Sequence, residues 1–129
     1  MTFWKLGCRW GKNKPLFLNF ITQEQIVIGV KTKKYNIGDL VLLTDGHTAI
    51  GVAQVIGPKS ELSEFPEYEN DFEENKIDWV EWVNIYKARI WCFSKQDNFP
   101  YKLQQGIVKI NQEAIKEKLL GLYHCCPVN

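Results

Sequence analysis

Apolar and polar positions change rhythm several times along this chain, and most of the changes mark strands. Thr2–Trp10 alternates, with Phe3 and Lys5 on one face and Trp4 and Leu6 on the other, which predicts a first strand. Leu16–Ile21 is a short apolar run compatible with strand or a helical turn, and Gln25–Lys31 is β-branched and apolar, hence strand. Two further runs, Leu40–Leu43 and Ala49–Ile56, flank Thr44-Asp45-Gly46-His47-Thr48 and predict a β-hairpin entered through a turn at Gly38-Asp39. Gly51 and Gly57 expose bare backbone in the second of these strands, where something is expected to approach closely.

The stretch Ile77–Phe93 is the longest with strand character, Gln96-Asp97-Asn98 marks a turn, and Gly106–Ile110 is a last short strand. A final helix is expected to begin at an Asn111 cap, carry the stripe Ile115, Leu119 and Leu122, and stop at Gly121. Strands predominate and do not alternate with helices. The expected class is therefore α+β and strand-rich: a mixed barrel of about five or six strands with one to three helices outside. The 129 residues fit one domain, 1–129, with an acidic loop insertion at 60–76.

Charge changes this picture only when it is split. Between Glu61 and Asp78 eight carboxylates face one lysine, a local balance of −7, so the rest of a chain totalling +1 carries +8. A basic body with one acidic excursion is compatible with a polyanion partner. The four cysteines, Cys8, Cys92, Cys125 and Cys126, form no CxxC pair, and with two histidines no structural metal is expected. Neither a signal peptide nor an apolar run of membrane-spanning length is present in the sequence, so no membrane association and a cytoplasmic location are expected.

Catalytic patterns are absent: no G-x-S-x-G, P-loop, H-E-x-x-H or G-x-G-x-x-G occurs, so no cofactor and no catalytic role are expected. Binding has better material. Trp10 stands between Arg9 and Gly11 and beside Lys12 and Lys14, a setting in which an indole stacks on a base while cations meet phosphates. Trp79 and Trp82, three apart, fall on opposite faces of a strand, which assigns one to the core and one to a wall, with Trp82 preferred as the wall. Two facing indoles accept a flat ring by stacking.

Phe3-Trp4-Lys5-Leu6, Trp10-Gly11, Gly38-Asp39-Leu40-Val41-Leu42, Gly51-Val52-Ala53-Gln54-Val55 and Asp78-Trp79 through Phe93 together resemble the PUA-like superfamily, in its EVE and YTH branch. The likeness runs over most of the chain in short pieces. It implies a PUA-like pseudo-barrel that flips a modified base into an aromatic cage, as a non-catalytic reader of modified DNA or RNA. It also implies a possible place in a larger defence or modification-dependent complex. Carried over by position, Trp10 with Trp82 or Trp79 would form the cage. Backbone near Cys8 and Arg9, or the side chain of Asp45, would read the base edge, and Lys5, Lys12 and Lys14 would meet phosphates. The alternatives are a small ASCH-type hydrolase of a modified nucleoside, using Lys5 with Asp39 or Glu81, and a protein-interaction domain.

Overall fold

The computed structural model describes residues 1–9, 18–29, 34–60, 64, 84–101 and 107–125. Its elements in chain order are β1 (Phe3–Gly7), α1 (Leu18–Glu24), β2 (Ile26–Gly29), β3 (Leu40–Asp45), β4 (Thr48–Ser60) and β5 (Asn84–Cys92). A short 3-10 turn (Lys95–Asp97), β6 (Phe99–Pro100), β7 (Ile107–Lys109) and α2 (Glu113–His124) complete it. Six strands form one curled, mixed sheet in the order β2-β5-β4-β3-β1-β7, and β6 adds a pair of residues beside the start of β4. The strand-rich α+β class is as expected.

Strand β3 sits in the middle and is buried on both faces, which explains its unbroken apolar run rather than an alternating one. Alternate residues feed two separate cores. Val41 and Leu43 join Trp4, Leu6, Ile21, Ile28, Tyr35, Val55 and Ile85 in the first, to which α1 contributes. Leu40 and Leu42 join Val52, Phe93, Phe99 and Leu119 in the second, which α2 covers. The hairpin between β3 and β4 closes through Gly46-His47, with Asp45 opposite Thr48 and Gly46 at φ 60°, a conformation glycine adopts without strain.

The parallel pairing of β1 with β3, Phe3 opposite Leu40 through Gly7 opposite Thr44, is pinned by one carboxylate. Asp39 is 2% exposed. Its Oδ1 accepts from Thr2 N at 2.9 Å, and its Oδ2 accepts from Trp4 Nε1 at 3.0 Å and Asn36 N at 2.9 Å. The indole so anchored packs edge-on against Tyr35, centroids 5.3 Å apart, whose hydroxyl donates to Ile28 O at 2.9 Å. One acid therefore ties the chain's first residues, the turn before β3 and an aromatic of the first core. It is a buried charge with three donors, as its desolvation requires.

Several expectations need correction in detail. Leu16–Ile21, open between strand and helix, supplies the start of α1 from Leu18. Gln25 follows that helix in the left-handed region, φ 54°, held there because its backbone O accepts from Ala88 N and its side-chain Oε1 from Ile90 N. Helix α2 is capped at Gln112 rather than Asn111 and runs past Gly121 to His124. A helical glycine costs only about 1 kcal/mol against alanine. Contacts of Leu122 and Tyr123 with the second core, and a hydrogen bond from the Tyr123 hydroxyl to Gln54 Oε1, outweigh it.

Gly51 and Gly57 do mark close approaches, but the approaching groups are the chain's own. A Cβ on Gly51 would lie 2.9 Å from Trp91 O, and one on Gly57 would lie 2.8 Å from Lys87 Cβ. Both glycines let β5 lie tightly on β4, across the register shift between Val55 and Lys59. The acidic stretch expected as an insertion, and Ile77–Val83 of the expected long strand, lie outside the described residues apart from Ser60 and Glu64.

Three stability changes follow. Replacing Asp39 by Ala strands one buried and two part-buried donors and is expected to cost about 3–5 kcal/mol in urea unfolding, whereas Trp4→Phe strands a single acceptor site and costs about 1–3 kcal/mol. Gly51→Ala, driven against backbone rather than a mobile side chain, is expected to lose about 1–3 kcal/mol by the same measurement.

Candidate functional site

The end of β1 delivers the candidate residues to the hairpin tip. Past Gly7, the Cys8 backbone N–H donates to Thr44 O at 2.9 Å, which continues the β1–β3 pairing by one residue. Arg9 then reaches across to Asp45: its Nε donates to Oδ1, and Nη2 lies 3.3 Å from Oδ2. Both carboxylate oxygens are engaged by one guanidinium edge, a geometry that fixes direction as well as distance. The two side chains remain 43% and 32% exposed, so the pair stands at the surface and not in a core. The hydrogen bond to Asp45 is also the main reason the Arg9 guanidinium is held above its usual basicity.

The structure therefore brings Arg9 and Asp45 together at the surface, whereas the adjacent Cys8 side chain turns inward. The Cys8 side chain belongs to the first core with no exposed surface. Burial pushes its thiol up to about 12, against a smaller lowering from its hydrogen bond with the Thr44 backbone. Its Sγ lies 3.7 Å from Leu6 O. With the side chain buried and the N–H committed to Thr44, these two groups of Cys8 are closed to a base edge. Sequence alternation held the signal: Trp4, Leu6 and Cys8 share one face.

Lys5 is not the surface phosphate contact expected of it. It lies between Leu42 and Val108 in the sheet register, 2% exposed, on the face covered by α2. The Asp39 carboxylate that was a candidate hydrolytic partner for Lys5 serves the opposite face, where Trp4, Thr2 and Asn36 hold it. Glu81, the other acid considered, lies outside the described residues.

Trp10, Trp79, Trp82, Lys12 and Lys14 also lie outside the described residues. The other two tryptophans are accounted for by packing. Trp4 is anchored on Asp39, and Trp91 packs edge-on against Phe93 with centroids 5.5 Å apart, alongside the second core. The described neighbours of the cage candidates define where the chain leaves the sheet. Arg9 precedes Trp10 at the Asp45 end of β3, whereas Asn84, two residues after Trp82, pairs with Gly29 toward the far end of β4.

Among the described residues no helix is long and apolar enough to cross a membrane. No protein-family model matches the chain, and no curated protein sequence matches it.

The contrast between the cysteines is directly measurable. At pH 8 an alkylating reagent is expected to modify Cys92 and Cys125, both exposed, and to leave Cys8 unmodified until the protein is unfolded, as read by peptide mass mapping. Rapid labelling of Cys8 in the folded protein would contradict its place in the core.

Proposed function

We propose that this chain is a non-catalytic nucleic-acid-binding module that recognises a modified base, methylated in the simplest case, held out of its stack between indole rings. The observation that carries the reading is the exposed Arg9–Asp45 pair at the sheet's end, directly before Trp10. An oriented cation one residue from a stacking ring matches the repeat of nucleic acid, in which each base is attached close to a phosphate.

Three further features support it. Trp4 and Trp91 are committed to packing, which leaves Trp10, Trp79 and Trp82 as the tryptophans available for a cage. The body of the chain is basic once the 61–78 segment is set apart. The curled strand-rich sheet is compatible with a PUA-like pseudo-barrel. The separation of Lys5 from Asp39 removes the support for a hydrolytic pair at those two positions.

Energetics set what the cage must do. Extracting a base costs a few kcal/mol, and each aromatic stacking contact returns about 1–3 kcal/mol. Two walls offset the cost and one does not. The reading thus requires Trp10 and Trp82 (or Trp79) to converge, although their described neighbours Arg9 and Asn84 lie toward opposite ends of β4.

Trp10→Ala is expected to weaken binding of a methylated oligonucleotide at least tenfold while shifting the melting temperature by no more than two or three degrees. Lys12→Ala and Lys14→Ala are expected to weaken methylated and unmethylated oligonucleotides alike and to flatten the salt dependence. Fluorescence anisotropy at several salt concentrations measures both. Equal affinity of the parent protein for methylated and plain oligonucleotides would overturn the proposal.

A further inference from the structure

We infer that Lys87 and Arg89, on the outward face of β5, contact phosphates of a bound nucleic-acid strand at the end of the sheet remote from the hairpin tip. This rests on the nucleic-acid reading above and assigns backbone contacts of that site to a surface where the sequence predicted none.

The strand pattern puts the two cations side by side. Ala88 between them is buried in the first core, so Lys87 and Arg89, at i and i+2, both turn outward, and both are exposed. Gln54 of β4 lies opposite Arg89, and there the Tyr123 hydroxyl bonds to it from the end of α2. Beyond that contact the face is open: Val55 turns into the first core, and Ile56 after it is 52% exposed.

The local backbone is shaped around Lys87. Val55 pairs with Ala88 and Lys59 with Tyr86, so three residues of β4, Ile56-Gly57-Pro58, stand opposite Lys87 alone. A bulge of this kind re-aims a side chain out of the regular pleat. Gly57 leaves the room for it. A Cβ there would meet Lys87 Cβ at 2.8 Å and Cδ at 3.6 Å, so the lysine stem runs along bare backbone.

The two strands supply no counter-charge. Neither β4 nor β5 contains an Asp or Glu, and neither Lys87 nor Arg89 forms an ion pair among the described residues. On the same face, Ile56 is exposed and Trp91, two residues after Arg89, is half-buried. Paired cations beside apolar and aromatic surface suit a polymer that alternates phosphates with flat rings.

The test is fluorescence anisotropy with a single-stranded oligonucleotide, in methylated and plain forms, at several salt concentrations. Lys87→Ala and Arg89→Ala are each expected to weaken both forms about three- to tenfold. Each should also lower the salt slope by about 0.7, the share of one phosphate on a single strand. Lys95→Ala makes the same change of charge on the short turn after β5 and is expected to stay within about twofold of the parent protein, since salt screens a charge that makes no contact. All three side chains are exposed, so the melting temperature should shift by about three degrees or less.

Lys87→Ala and Arg89→Ala binding like the parent protein, or losing no more than Lys95→Ala, would overturn the inference. Poly-glutamate competing as well as an oligonucleotide of equal charge would overturn it too, and would give the face to an acidic protein segment. Failure of the modified-base reading is separately visible. If the parent protein binds methylated and plain forms equally while the losses at Lys87 and Arg89 persist, the cage falls and the phosphate contacts stand. No measurable binding of either form by the parent protein removes both.

Discussion

The architecture depends on a single buried carboxylate. Asp39 receives three hydrogen bonds from groups that come from two distant parts of the chain, Thr2 and Trp4 on one side and Asn36 on the other. A charge taken out of water needs every donor it has, so these contacts are obligatory once Asp39 is inside. They determine where β1 starts, and the start fixes its register on β3. Alternation along β1 does the rest: Trp4, Leu6 and Cys8 enter the first core, while Phe3 and Lys5 take the face beneath α2. The exposed end of β1, with Arg9 at the hairpin tip, lies where it does because the other end is tied down.

That hierarchy explains what the amino-acid pattern disclosed. The Leu40–Leu43 and Ala49–Ile56 runs and the Gly46 break made the hairpin legible, because a two-residue loop with one positive φ leaves a local signature. The alternation of β1 was legible for the same reason, and so was the helical stripe through Ile115, Leu119 and Leu122. The helix end was not. Gly121 reads as a stop in isolation, and the force that carries the helix past it is tertiary, the packing of Leu122 and Tyr123 on the sheet.

The site divides along the same line. Proximity of Arg9 to a ring and to lysines is visible in the letters, but the bond from Arg9 to Asp45 joins positions 36 apart and depends on parallel pairing of β1 with β3. Nothing local announces a parallel partner. Lys5 shows the complementary difficulty. A lysine in an alternating strand reads as solvent-facing, and only the presence of α2 over that face makes it interior. Gly51 and Gly57 were correctly marked as contact points, yet a sequence cannot distinguish a ligand from a neighbouring strand.

Strand β1 lies between β3 and β7, so its two hydrogen-bonding edges are satisfied by segments made at very different times during synthesis. During synthesis β1 precedes both of its mates, and its second edge stays open until β7 has followed β3, β4 and β5. The β3–β4 hairpin, by contrast, can zip up as soon as it clears the exit tunnel. With β3 and β4 paired and β7 not yet made, β1 is a ribbon with one bare edge. A chaperone that shields extended, unpaired backbone has its clearest target in that ribbon.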